Sequence, residues 1–261
     1  MYLYYGLISF FTRNSARLVI ALLFTLLLFV FFGPLRASEI PRPYDAEGQL
    51  AVLEGYLAAK PDRYRLLVLD TFENLRPYDS HASSSALDDI RFVYRSPENR
   101  AFRQEKDMVT AFGTGEISFE QCLFVHTSFE LPGQQVFEFR PRVTVPFHGQ
   151  PVRVSVWIHS QMYRHRLALL FENADSRPVR VDAGYLNWNG WRRVSLELPA
   201  ELHRRGRGPG KPFGGKFMGF LIESSPNSEA GDVALMFDDL LLLTDMGQLQ
   251  YPGSEISDTW K

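Results

Sequence analysis

The chain has 261 residues, enough for one large domain or two small ones. Hydrophobic residues make up 45% and charged residues 22%, an ordinary globular balance, and a formal net charge of -2 excludes a nucleic-acid binder by bulk charge. The 21 phenylalanines and 11 tyrosines favour pleated, half-buried surfaces, so the composition leans towards β.

In chain order, the first segment is of a different material. Arg13 and Arg17 precede LVIALLFTLLLFVFFGPLRAS, and no acid occurs before Glu39. A positive segment, an apolar run and then small residues have the form of an export signal, with cleavage at Ala37-Ser38. Residues 1–37 are therefore read as a signal peptide. The run approaches spanning length, so an uncleaved membrane anchor is the alternative. Either way the remainder is expected outside the cytoplasm. Loss of Arg13, Arg17 and Arg36 takes the formal net charge from -2 to -5. The lone cysteine, Cys122, allows no internal disulfide. Its neighbours Leu123 and Phe124 make it a strand residue rather than a catalytic thiol. An exported domain without disulfides depends on a full-sized apolar core.

Residues 38–64 read as a linker, EIPRPYD, followed by a short amphipathic helix in AEGQLAVLEGYLAAK. Leu50, Leu53 and Leu57 share a helical face, with Val52 and Tyr56 beside it, and Pro61 stops it. This helix docks on the domain or on a partner. The period then changes. RLLVLDTFENL is a strand and SHASSSALDD a polar loop. From Cys122 onward come CLFVHTSFEL, QVFEFRPRVTV, PVRVSVWIHS, HRLALLFEN, VRVDAGYLNW, WRRVSLELP, KFMGFLIES and VALMFDDLLLLTD. VRVSVWI alternates, placing Val152, Val154, Val156 and Ile158 inward and Arg153 and Ser155 outward. Turn residues separate the segments, as at Pro132-Gly133, His148-Gly149, Asp175-Ser176 and Asn189-Gly190. Short strands at this spacing without long helices predict an all-β fold, an antiparallel β-sandwich or jelly roll, over residues 65–245, with a tail at 246–261. VLDTFE and FDDLLLLTD are similar to the first and last strands of carbohydrate-module-like jelly rolls, in which the terminal strands pair.

Few residues suggest chemistry. GRGPGK lacks the Ser or Thr that a phosphate loop places after its lysine, since Pro212 follows Lys211, so no nucleotide is expected. The same run carries Arg204, Arg205, Arg207, Lys211 and Lys216 with no acid between Leu202 and Ile222. It is either a solvated loop or a contact surface for an acidic partner. Trp188 and Trp191 flank Asn189-Gly190, which reads as a type I′ hairpin bringing the two rings together beside that loop. Cross-strand packing and a sugar-stacking platform are the two readings. Asp70, Asp238 and Asp239 fall on the terminal strands, where Asp70 and Asp239 are candidates for a structural calcium. Glu73 and Glu223 form a generic acid pair with no implied cleft. His126, His148, His159, His165 and His203 are scattered without metal-ligand spacing, and no nucleophile elbow occurs. No catalytic residue is assigned.

The blocks GYLNWNGWRRVSLELP and GKFMGFLIESSPNSEAGDVALMFDDLLLLTD resemble the C-terminal half of the spirochaetal flagellar filament outer layer (sheath) proteins. The shared features are a G-Y-L strand followed by a Trp, a strand ending in Pro, the F-x-G-F of Phe217–Phe220, and Gly231-Asp232 before Phe237-Asp238. LVLDTFENL resembles the family's opening strand. The resemblance implies a non-enzymatic structural protein of the periplasmic flagellum, in contact with the filament core and other sheath proteins, that affects stiffness and motility. An exported carbohydrate-binding module is the alternative. Neither reading involves nucleic acid, and membrane contact is confined to the N-terminal segment if it is uncleaved.

Overall fold

The computed structural model describes residues 46–73, 76–81, 90–97, 120–203 and 214–247, with side chains from residue 51 onward. The export segment, the linker, most of the polar loop, Arg204, Arg205, Arg207 and Lys211 lie outside the described residues.

The predicted helix is α1 (Ala46–Ala59). Leu53 and Leu57, one turn apart, are buried and Val52 is exposed, so the apolar residues form one stripe. Twelve strands follow: β1 (Tyr64–Asp70), β2 (Tyr78–Ser80), β3 (Arg91–Arg95), β4 (Cys122–Phe129), β5 (Val136–Pro141), β6 (Val145–His148), β7 (Gln150–Gln161), β8 (Arg166–Asn173), β9 (Pro178–Tyr185), β10 (Asn189–Glu197), β11 (Gly214–Glu223) and β12 (Gly231–Asp245). They form two antiparallel sheets. Sheet A runs β10-β7-β12-β4-β3, with β1 also on β12, and sheet B runs β2-β5-β11-β8-β9, with β6 also on β11. The expected β-sandwich is present, and the first and last strands pair. The sequence reading missed β2 and β3, which are short and carry charged residues. It also drew one strand through QVFEFRPRVTV, where the structure has β5 and β6.

That division has a cause in β11. Along one edge β11 pairs with β8. Along the other it pairs first with β6, at Gly214–Phe217, and then with β5, at Phe220–Glu223. The register slips between Phe217 and Gly219. This bulge turns both Phe217 and Phe220 into the core although they stand three apart. Gly219 has φ +142, and a Cβ there would overlap the Phe139 carbonyl oxygen. β12 repeats the arrangement. It pairs with β7 on one side, and with β4 and then β1 on the other. Its register slips after Asp238, and Asp239 has φ +41. Phe237 and Leu240, again three apart, both face inward.

Phenylalanine fills the space between the sheets. The Phe139 ring lies 5.0 Å from Phe220, 5.3 Å from Phe237, 5.5 Å from Phe137 and 5.9 Å from both Tyr78 and Phe92. Rings at these offsets add specific geometry to the apolar burial. A second, smaller cluster lies on the outer face of sheet A, where Leu53 and Leu57 of α1 cover Leu66, Leu241 and Leu243. Val152 belongs to this outer cluster and not to the inner row in which its alternation placed it. The register of β12 on β7 slips between Leu243↔Arg153 and Thr244↔Pro151, leaving Val152 as the extra residue that changes face.

Candidate functional site

The tryptophan reading needs correction. Asn189-Gly190 is not a hairpin turn, because β9 pairs with β8 in sheet B whereas β10 pairs with β7 in sheet A. The chain crosses between sheets at residues 186–188, and Asn189 and Gly190, the latter with φ +88, already pair with Gln161 and Ser160 at the start of β10. Trp188 is 7% exposed and packs in the main core, with the Arg192 guanidinium 4.8 Å from its ring centre. Its carbonyl accepts the Met162 N–H at 2.7 Å. Trp191 is half-buried on the outer face of sheet A, edge-on to His159 at 5.5 Å.

Nor do the tryptophans support the basic loop. Trp188 meets Met162 just ahead of the start of β8, whereas the loop leaves and returns at the far end of β8. Leu202 is buried in the core, and the Glu201 carbonyl accepts from Asn173 Nδ2 at 3.3 Å. Gly214 and Gly215 re-enter between β6 and β8, where a Cβ would overlap the Phe147 and Glu172 carbonyl oxygens respectively. A strand of eight residues separates the two ends by roughly 25 Å. The described residues on either side of the basic stretch, Leu202 and Gly214-Gly215, are therefore anchored there. Lys216 is not part of it. It lies on β11, and its Nζ is 2.8 Å from Glu172 Oε1. The acid missing from the local sequence comes from β8, 44 residues away.

Asp70 is buried at the end of β1. Its Oδ1 accepts the Phe72 N–H and its Oδ2 accepts the Tyr78 hydroxyl, both at 2.9 Å, with Arg76 Nε at 3.5 Å. Since β1 is in sheet A and β2 in sheet B, the Asp70–Tyr78 bond ties the sheets together. Burial raises the Asp70 pKa, opposed by the charge of Arg76 and by those two hydrogen bonds. Asp239 is buried at the β12 bulge, its N–H donating to Asp238 Oδ1 at 2.9 Å. Among the described residues no three His, Cys, Asp or Glu side chains gather as a metal site requires. Protein donors hold each Asp70 oxygen with one hydrogen bond. Glu73 accepts the N–H groups of Glu120 and Gln121, while Glu223 holds Arg180 on sheet B, so the two acids serve separate structural contacts. Cys122 is buried at the start of β4, its thiol donating to the Arg95 carbonyl at 3.3 Å. His159 and His165 stand on either side of the connection from β7 in sheet A to β8 in sheet B, a crossing between sheets and not a hairpin. His165 is 3% exposed, its Nδ1 accepts the Ser225 N–H at 3.3 Å, and burial pushes its pKa down to about 4.

A charged surface that the sequence did not indicate lies on the outer face of sheet B. It comprises the ion pairs Arg142–Asp79, Arg140–Glu138, Lys216–Glu172, Arg180–Glu223 and Arg166–Asp182. Each cation meets an acid, and all ten groups sit on or beside the strands of this one sheet. Arg180 engages Glu223 through two parallel bonds of 2.5 Å, the fork geometry that fixes a guanidinium. The hydrogen bond from Arg180 is the main reason Glu223 stays ionised below the usual carboxylate range.

Comparison with solved structures finds sandwich neighbours. A family 11 carbohydrate-binding module from Clostridium thermocellum, in complex with a mixed-linked tetrasaccharide, aligns with a TM-score of 0.42 at 9% identity, covering 70% of this chain and 96% of the module. A xylan-binding domain from Paenibacillus barcinonensis aligns at 0.33 with 10% identity, covering 67% of this chain and 92% of that domain. Likeness at this level bears on no ligand. A curated relative, a flagellar filament outer layer-like protein of Brachyspira hyodysenteriae, is 26% identical over 129 residues, spanning 49% of this chain and 60% of the relative. The family model for flagellar filament outer layer protein FlaA matches residues 68–251, from the middle of β1 to beyond the end of β12 and so through both sheets, and the chain belongs to that family.

Proposed function

We propose that this protein is a structural component of the outer layer of a periplasmic flagellar filament, contributing to sheath assembly and motility without catalysing a reaction. The observation that carries the reading is the family match, which runs through β1–β12 instead of through one short motif. The Arg-flanked apolar run ahead of Ala37-Ser38 supports delivery to the periplasm. Arg204, Arg205, Arg207 and Lys211 are assigned to contact with an acidic filament partner. They stand in a stretch of sequence without acids, and the residues on either side of it are anchored in the sandwich.

The test is fractionation of purified filaments, probed with antibody against this chain. The protein is expected to sediment with filaments, and a variant with all four basic residues changed to Ser is expected to fold and be released. Retention of that variant at low and high salt would remove the loop from the interface. Absence of the parent protein from filaments would remove the reading itself.

A further inference from the structure

At one end of the outer face of sheet B, four strands each bring one residue to a single transverse row. Val136, Glu223, Arg166 and Tyr185 are successive cross-strand partners on β5, β11, β8 and β9. Against this row is a shallow hollow of about 260 Å³, lined by Gln134, Gln135, Val136, Arg166, Tyr185 and Glu223. Two features set it apart from an ordinary patch of surface ion pairs.

The first is a closed array of charge. Arg180 grips Glu223, and Arg166 pairs with Asp182. The pairs also act on each other, since Glu223 feels the charge of Arg166 and Arg180 that of Asp182. Four groups of alternating sign thus stand together with no net charge. Beneath them Ala168 is buried and Leu170 and Leu221 are half-buried, which gives the array an apolar floor. The second feature is an aromatic ring in the open. Tyr185 is 54% exposed on the edge strand, with the Arg166 guanidinium 5.7 Å from its ring centre. The neighbouring Gln134 is exposed as well.

This chemistry selects among ligands. An anion would meet Glu223 and Asp182, and a cation would meet Arg166 and Arg180, so a charged ligand gains little. A neutral ligand whose adjacent hydroxyls both donate and accept matches fixed, alternating donors and acceptors. Bidentate pairing holds those groups in place before the ligand arrives, which lowers the ordering cost of binding. An exposed ring offers a flat apolar plane to the C–H face of a pyranose. The hollow lies near the lower end of ligand-site sizes, which begin at about 300 Å³, and so suits one ring of a longer chain.

We propose that this hollow is a binding site for a neutral sugar residue of a glycan, with Tyr185 as the stacking plane and the Arg166–Asp182–Arg180–Glu223 array as the partner of its hydroxyls. The inference does not rest on the filament reading, and it makes no use of the buried Trp188.

The experiment titrates the mature protein with cellotetraose, xylotetraose and galactotriose at millimolar concentration by calorimetry, with a heparin oligosaccharide as the charged probe. At least one neutral probe is expected to bind and heparin is not. Tyr185→Ala should weaken that binding by about tenfold or more, while Tyr185→Phe, which keeps the ring, should stay within about threefold. Melting curves check that both variants fold, which the exposed edge position favours. Tyr185→Ala should still sediment with filaments as the parent does, separating this site from the filament contact. No binding of any neutral probe, preference for heparin, or full binding by folded Tyr185→Ala would each overturn the proposal.

Discussion

On the outer face of sheet A, β12 presents Leu241 and Leu243 to α1, and β7 and β10 present buried Trp157 and Arg193. On the outer face of sheet B, β11 presents Lys216, Leu221 and Glu223, surrounded by five ion pairs. The inner faces of the two sheets are alike, both dense in Phe and Leu, and the central strands share one device: a bulge where the strand passes from one partner to another. The difference outside is therefore a difference of cover. A strand covered on both faces is buried at consecutive positions, as β12 is from Phe237 to Asp245; a strand with one wet face alternates in burial, as β11 does apart from its bulge.

Four measurements would break or sharpen this contrast. The largest effect is expected from matched leucines. Leu243→Ala, under α1, should cost about 2–5 kcal/mol in urea unfolding, whereas Leu221→Ala on the half-exposed face of sheet B should cost distinctly less. Equal losses would mean that the two outer faces are covered alike. The second uses acid. His165 titrates near 4 when folded and about 6.5 when unfolded, so the unfolded chain takes up its proton first as pH falls. His165 therefore contributes stability above pH 6.5 that is lost progressively down to about pH 4, by up to about 3 kcal/mol. His165→Gln should flatten that part of the stability–pH curve, and an unchanged slope would show that the ring is not held neutral. The third concerns the β11 bulge. Gly219→Ala should cost about 1–3 kcal/mol in melting experiments, from strain at positive φ and contact with Phe139, while Gly190→Ala at the open start of β10 should cost less. The smallest effect is expected from Arg142→Ser, which removes the most exposed pair on sheet B and should change stability by about 0–1 kcal/mol. A larger loss would make the ionic face a stabilising element rather than a solvated one.

The same contrast shows what the sequence makes legible. Strand existence follows from alternation and turn residues, because those depend on neighbours one or two positions away, whereas the pairing of the terminal strands follows from the resemblance of VLDTFE and FDDLLLLTD to jelly-roll end strands. Val152 was misplaced because a register slip leaves no trace in the seven-residue pattern VRVSVWI. Phe217 and Phe220 held a usable signal: two large apolar residues three apart around a glycine, inside a strand, mark a bulge. Asn189-Gly190 misled because it has hairpin chemistry yet opens β10 just after the chain has crossed from one sheet to the other. The array on sheet B was hidden for another reason. Arg166 and Asp182 are 16 positions apart and Arg180 and Glu223 are 43 apart, and only strand order brings them together.

The last strand among the described residues is also the middle of its sheet. β12 pairs with β7 on one side and with β4 and β1 on the other, so before residues 231–245 are present sheet A has neither a centre nor a completed inner face. These are among the longest-range contacts a chain of this length can make, and such contacts form late. A ribosome delivers the N-terminus first. Sheet A therefore stays open until residues 231–245 have been made, and closes only when they arrive.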